Sequence, residues 1–168
     1  MTAIPEKMTA NPENMTANPE TWRYFEDLII GERSTSKTMI LDKDKMVAFA
    51  REYDPQFFHA DEEAAAGHKV FEGLTSSGIY TAALWRILDH DIFSDVAWVC
   101  GLGWDEVRWR KPLRPGDAIY ATAEVIEKRP WKKDDTIGRV TIRHELVNQH
   151  GDIVFHYFGD SLVNRRPA

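Results

Sequence analysis

The sequence predicts an α+β domain with one long buried helix followed by a run of antiparallel strands. Residues 77 to about 88 are apolar nearly all round, a pattern typical of a helix buried inside a core. Four strand-like segments follow, each enriched in β-branched and aromatic residues with partial period two. These predicted strands cover residues 96–109, 117–129, 138–147 and 153–163.

The segment before this helix predicts shorter elements. Residues 35–41 are predicted as a first strand, although their alternation is only partial. Asp42 stands where it would open an amphipathic helix, and Asp61 where it would cap a short helix over residues 62–66. Residues 148–152 predict the loop of a hairpin between the last two strands.

The first 21 residues are three copies of a heptad with a proline in every copy. Because proline interrupts helices and the repeat is short and polar, we expect residues 1–21 to form a flexible tail. A partner-binding arm is the alternative for this segment. Residues 22–168 are then expected to form a single domain.

Composition limits the functional classes open to the chain. The 168 residues carry a net charge of −6, which argues against unspecific nucleic-acid binding. No apolar run reaches transmembrane length and the N-terminus lacks a secretory signal, so we expect a soluble cytoplasmic protein with no membrane partner. Cys100, the single cysteine, is predicted to be a small buried residue of a strand.

One stretch carries the elements of a catalytic site. Asp54 and His59 lie five residues apart, and Pro55 discourages helix at Asp54, so a looped backbone can turn the two side chains together. About fifteen residues later, Ser77 and Gly78 stand where the long helix is predicted to begin. Helix starts offer unpaired N–H groups suited to an oxyanion. This combination is the outline of an enzyme acting on an acyl group.

The stretch resembles the catalytic segment of the MaoC-like acyl dehydratases, which are the R-specific enoyl-CoA hydratase family. The family loop reads roughly Gly-Asp-x-Asn-Pro-aliphatic-His. Asp54 and His59 keep this spacing, whereas Tyr53, Gln56 and Phe57 replace the glycine, the asparagine and the proline. The resemblance extends more loosely over about residues 21–164.

The resemblance implies a hotdog fold, in which an antiparallel sheet wraps a central helix. It also implies that Asp54 and His59 activate one water, and that this water adds to a trans-2-enoyl thioester to give an R-3-hydroxyacyl product. The Gly78 N–H would hold the thioester oxygen, and Ser77 would cap the helix or touch substrate. The family also implies a homodimer or a higher assembly of dimers.

The substrate would be an acyl-CoA or acyl-carrier thioester, whose phosphates need cations. Four basic residues at and just after the end of the predicted strand over residues 96–109 are candidates for this contact, although charged strand ends are usually just solvated. They are Arg108, Arg110, Lys111 and Arg114. A strand through this region would place Arg108 and Arg110 on one face and Trp109 on the other. No cofactor and no metal are expected, because the remaining histidines show no paired ligand spacing.

Two other functions stay open. A thioesterase on the same fold needs one carboxylate to activate water, so Asp54 would then matter more than His59. An acyl-thioester-binding protein would keep the fold without turnover. The ordinary reading of the pair also stands, since Asp-Pro opens many turns and a histidine beside phenylalanines is often only half-buried.

Overall fold

The computed structural model describes residues 21–167. The heptad repeats, predicted as a tail over residues 1–21, lie outside the described residues apart from Thr21. Within residues 21–167, no helix is long and apolar enough to cross a membrane.

The described chain forms a six-stranded antiparallel sheet and helices that precede its long strands. The elements in chain order are a 3-10 turn (Phe25–Asp27), β1 (Arg33–Thr35), β2 (Met39–Ile40), α1 (Lys43–Tyr53), α2 (Phe57–Ala60), α3 (Glu62–Ala65), α4 (Gly78–Phe93), β3 (Trp98–Trp109), β4 (Ala118–Pro130), β5 (Ile137–Asn148) and β6 (Ile153–Asn164). The strand order is β1-β4-β5-β6-β3, and β2 also pairs with β4. Each long strand begins and ends within two residues of its predicted limits.

The sheet wraps α4, and this arrangement confirms the predicted α+β hotdog fold. Apolar side chains of α4, including Leu84 and Leu88, pack against inward-facing residues of β4 and β5 such as Val125 and Ile142. Strands β4 and β5 alternate regularly between buried and partly exposed residues, as expected of a sheet with one face on the core. Burial of this apolar surface is the main force holding the domain together.

Helix α4 differs from its prediction in length and in burial. It continues to Phe93, five residues beyond the predicted end. Ile79 and Ile87 are 60% and 55% exposed, so the expectation of a helix buried all round is wrong. The sheet covers only one side of α4, and residues spaced four apart on the other side, Ile79, Ala83 and Ile87, face away from it.

The segment before α4 is more broken than predicted. Instead of the single strand expected over residues 35–41, the chain forms two short strands, β1 and β2. They pair with β4 at separate places. Asp42 accepts hydrogen bonds from the N–H groups of Asp44 and Lys45, which confirms it as the cap of α1. Asp61 caps α3 through the N–H of Ala64, as predicted.

Strand β3 forms one edge of the sheet and pairs only with β6 among the described residues. Three register irregularities interrupt this pairing, and Glu106 within one of them has a positive φ of 53°. Cys100 lies on this edge strand and is exposed, so its predicted burial is wrong. The alternation of β3 gave no sign that one of its edges faces solvent.

Substitutions at two strand glycines should affect stability to very different extents. A Cβ on Gly138 would lie 2.1 Å from the ring of Phe25, whereas a Cβ on Gly103 would meet nothing within 4 Å. We expect Gly138→Ala to lower the free energy of unfolding by about 1–3 kcal/mol because Phe25 must leave its place on the sheet. Gly103→Ala is the control and should change it by less than about 0.5 kcal/mol. Urea unfolding measures both, and equal effects would contradict this account.

Candidate active site

Asp54 is held at the end of α1, where its backbone N–H still bonds to the carbonyl of Ala50. Two side chains donate hydrogen bonds to its carboxylate. The Gln56 amide reaches Oδ1 at 2.9 Å, and the Ser77 hydroxyl reaches Oδ2 at 2.7 Å. The hydrogen bond from Gln56, followed by that from Ser77, holds the pKa of Asp54 below its usual value. Asp54 is therefore a carboxylate at neutral pH.

His59 lies buried on α2 with one ring nitrogen fixed by the backbone. Its Nδ1 is 2.8 Å from the carbonyl oxygen of Thr75, and a carbonyl can only accept, so Nδ1 carries the proton. Nε2 is then the free acceptor nitrogen. It lies 3.7 Å from Asp54 Oδ2, too far for a direct hydrogen bond. This spacing leaves room for one water that contacts both side chains.

The start of α4 adjoins this pair. Ser77 caps the helix by accepting a hydrogen bond from the Ile79 N–H at 3.2 Å, as predicted, while its own hydroxyl binds Asp54. Gly78 is the first residue of α4, where backbone N–H groups have no partner within the helix. The indole of Trp109 donates to the Gly78 carbonyl at 2.9 Å. A Cβ on Gly78 would lie 3.1 Å from that indole, so glycine permits the contact.

A cavity of about 410 Å³ opens at this place. His59 and Gly78 both line it, together with Trp109 from the edge strand and Leu113. Asp54 and Ser77 are not among its lining residues, so the residues predicted for the site lie partly at the cavity and partly beside it. The apolar walls and the helix start would let a bound carbonyl oxygen lie near backbone N–H groups in a partly dehydrated space.

The four basic residues predicted to contact phosphates each bind a different partner within the protein. Lys111 pairs with Asp152 at 2.7 Å, and Arg114 donates to the carbonyl of Phe71. Arg110 donates from Nε to Nδ1 of His156 at 2.9 Å, on the sheet face opposite Trp109.

Arg108 is exposed, and its one hydrogen bond within residues 21–167 goes to the carbonyl of Val107. Each of the three arginines uses one side-chain donor in these bonds, and Arg110 and Lys111 also line the cavity. Four hydrogen bonds that hold the site were not predicted from the sequence. Gln56 and Trp109 act through side-chain N–H groups, Ser77 through a second bond to Asp54, and Thr75 through its carbonyl.

Metal binding finds no support in the described residues. No group of three or more His, Cys, Asp or Glu side chains in residues 21–167 is arranged to hold an ion.

Solved structures with this architecture include acyl-type hydratases and dehydratases. A MaoC-like dehydratase from Rhodospirillum rubrum is 35% identical, with a TM-score of 0.78 over 87% of this chain and 99% of that one. The R-hydratase PhaJ1 from Pseudomonas aeruginosa shares the fold, at 22% identity and a TM-score of 0.67, over 85% of this chain and 86% of that one. A Mycobacterium tuberculosis protein with a double hotdog fold also shares it, at 15% identity and a TM-score of 0.69, over 88% of this chain and 46% of that one.

A family model for the MaoC-like domain matches residues 25–147, and the chain belongs to that family of dehydratase domains. The uncharacterized protein YdeM of Bacillus subtilis is 31% identical over 144 residues, covering 83% of this chain and 98% of YdeM. Mesaconyl-CoA hydratase of Cereibacter sphaeroides is 35% identical over 68 residues. That match covers 40% of this chain and about a fifth of the hydratase.

The two donors to Asp54 predict separable effects on its pKa and on stability. Ser77→Ala removes a donor and the cap of α4, so we expect a raised Asp54 pKa and a loss of about 1 kcal/mol of stability. Gln56→Leu removes only a donor, so the pKa should rise while the cap remains. Carboxyl carbon shifts in a pH titration measure the pKa, and urea unfolding measures stability.

The sign of the pH dependence follows from the direction of the shift. Because the folded-state pKa of Asp54 is depressed, its contribution to stability is present above the unfolded pKa. That contribution is lost as pH falls through the folded value. Unchanged Asp54 titration in both variants would contradict the assignment of these two donors.

Proposed function

We propose that this protein is a hydratase/dehydratase of 2-enoyl thioesters, with Asp54 and His59 as the catalytic pair. The observation that carries the proposal is the arrangement of these two groups. An ionised carboxylate and an imidazole with a free Nε2 lie 3.7 Å apart, beside the start of α4. Family membership and hydratases among the relatives support the reaction class.

In the hydration direction, a water held between Asp54 and His59 attacks C3 of the double bond. The water oxygen forms the new C–O bond, and the pair takes up one of its protons. As the double bond opens, charge passes to the thioester oxygen, where the Gly78 N–H donates to it. The pair then returns the proton to C2. Water is thereby added across the bond with no other reactant, and dehydration follows the same path backwards.

The thioester carrier is proposed to be coenzyme A or an acyl carrier protein in the cytoplasm. Arg108, Arg110 and Arg114 remain candidates for its phosphates, because each keeps donors that no acceptor in residues 21–167 binds. Lys111 is a weaker candidate, since an ion pair with Asp152 already engages it.

The direct test is turnover of crotonyl-CoA and of longer and branched enoyl thioesters, followed by loss of enoyl absorbance. A parallel well with a thiol reagent detects thioester hydrolysis. We expect absorbance loss without thiol release, reduced by about 10²–10⁴-fold in Asp54→Asn and in His59→Ala. His90→Ala is the matched control, because His90 lies exposed on α4 away from the pair.

The other outcomes separate the alternatives. Thiol release that depends on Asp54 more than on His59 would assign a thioesterase. If no thioester shows absorbance loss or thiol release, the enzymatic function is refuted and a binding protein with this fold remains.

We also propose that the protein acts as a homodimer joined through β3 and the outer side of α4. These two elements run side by side, since Trp98 contacts Phe93 at one end and Trp109 contacts Gly78 at the other. Both elements carry exposed apolar side chains, which are together named the β3–α4 face here. It consists of Ile79, Ala83, Ile87, Val99, Leu102 and Trp104. A two-fold axis through this face would cover the apolar surface and the open strand edge together.

A charge placed on the β3–α4 face should separate the subunits. We expect the wild-type protein to sediment at twice its chain mass of 19.3 kDa and Ile87→Glu to sediment at the chain mass. Ile40→Glu is the control, because Ile40 is similarly exposed but lies on β2 at the opposite sheet edge. A monomeric wild-type protein would refute the dimer.

A further inference from the structure

One wall of the candidate active-site cavity is a short segment between α3 and α4. Residues 68–72, here named the 68–72 segment, contribute Val70 and Phe71 to the lining of that cavity. Val70 is 76% exposed, more than any other large apolar side chain in residues 21–167, whereas residues 74–77 are buried. The reaction proposed above gives this segment no role.

The 68–72 segment is held together mainly by its own hydrogen bonds. His68 Nδ1 accepts from the N–H of Val70 at 3.2 Å and from that of Phe71 at 3.0 Å. The His68 carbonyl accepts from the N–H of Glu72 at 2.9 Å, and the His68 N–H donates to the carbonyl at the end of α3 at 3.0 Å. These bonds fold the segment around one imidazole ring without fixing it to the sheet.

A single guanidinium group joins the 68–72 segment to the opposite wall of the cavity. Arg114 Nη2 donates to the carbonyl of Phe71, and in the described part of the chain no other hydrogen bond links the segment to anything beyond α3. Arg114 follows Leu113, which lines the cavity. Its backbone is fixed, because its N–H donates to Asp117 Oδ2 at 2.7 Å in the turn before β4. The bond from Arg114 therefore has a rigid base.

The backbone at the end of the segment has the form of a hinge. Glu72 and Gly73 have successive positive φ angles of 54° and 137°, in the region that favours glycine. A Cβ on Gly73 would lie 3.4 Å from Arg114 Nη1, so the guanidinium packs against this turn as well. Gly67 precedes the segment at its other end. A few such residues can absorb the rotation of a segment that opens and closes.

Aromatic contacts connect the segment to His59. The ring of His68 stacks on Phe71 at 4.8 Å and packs on Phe58 at 4.8 Å. Phe58 in turn meets the His59 ring edge-on at 4.4 Å. The seated segment thus supports the imidazole from behind and closes one side of the cavity.

We propose that the 68–72 segment is a lid that closes over a bound acyl chain, and that Arg114 is the positioning residue that latches it. An acyl chain in the cavity would bury part of the exposed Val70 side chain, which favours the closed lid. Closure excludes water and strengthens hydrogen bonds to the thioester oxygen. The acyl ligand rests on the proposed function, whereas the latch is a property of the folded chain alone.

The latch is tested on the full chain labelled with ¹⁵N, through the backbone order parameters of residues 69–72. We expect Arg114→Gln to lower them to below about 0.6, the range of a flexible backbone, and Arg114→Lys to keep part of the order. His68→Leu should also lower them, because two N–H groups lose their acceptor. Arg129→Gln is the matched control, since Arg129 is exposed near the far end of β4 and should change nothing here.

Closure is tested with two saturated thioesters that cannot be hydrated, butyryl-CoA and S-butyryl-N-acetylcysteamine. We expect each to raise the order parameters of residues 69–72 in the wild-type protein. Arg114→Gln should weaken the binding of both by about fivefold to tenfold. Only butyryl-CoA carries phosphates, so equal losses would trace to the latch and not to a phosphate contact.

Four results would overturn the proposal. Unchanged order parameters in Arg114→Gln would refute the latch. A loss confined to butyryl-CoA would assign Arg114 to a phosphate contact instead. Thioesters that bind without ordering residues 69–72, or that do not bind at all, would refute the lid. None of these results depends on turnover, so closure without hydration of any enoyl thioester would refute only the proposed reaction.

Discussion

The double role of the Ser77 hydroxyl is the interaction on which the rest of the site depends. It accepts from the backbone at the start of α4 and donates to Asp54, so one oxygen joins the central helix to the end of α1, where Asp54 lies. The helix is in turn fixed by the sheet that wraps it. Because both bonds meet at one atom, the Asp54 carboxylate and the unpaired N–H groups of the helix start keep a constant separation. The hydrophobic core thereby sets the geometry of a polar site at its edge.

Much of this architecture could be predicted from local patterns. The four long strands and the helix start at Ser77 depend on residues close together in sequence, where period-two alternation and capping chemistry act. The proximity of Asp54 and His59 followed from a motif with fixed spacing. The roles of Gln56 and Trp109 did not, since a glutamine in a loop and a tryptophan in a strand have many uses. Only the folded chain aims them at Asp54 and Gly78.

The wrong predictions share a physical cause. Ile79, Ile87 and Cys100 were expected to be buried because apolar residues of helices and strands usually are. Burial depends on which neighbours cover an element, and the sequence does not say that β3 lies at an edge. No described element covers the outer side of α4 or lies beyond the β3 edge, so these three residues stay exposed. Ile79 and Ile87, whose exposure was not predicted, thus belong to the β3–α4 face proposed for self-association.

The irregular shape of β3 has a consequence for the solubility of the chain. Unpaired edges recruit further strands and can grow into fibres, and a long straight edge is the most dangerous kind. Three register irregularities interrupt β3, and irregularities of this kind bend and twist an edge so that a straight strand pairs with it poorly. At the other side of the sheet, β1 and β2 span only three and two residues. A pair joined through β3 would therefore end the growth of the sheet and protect the chain from open-ended polymerisation.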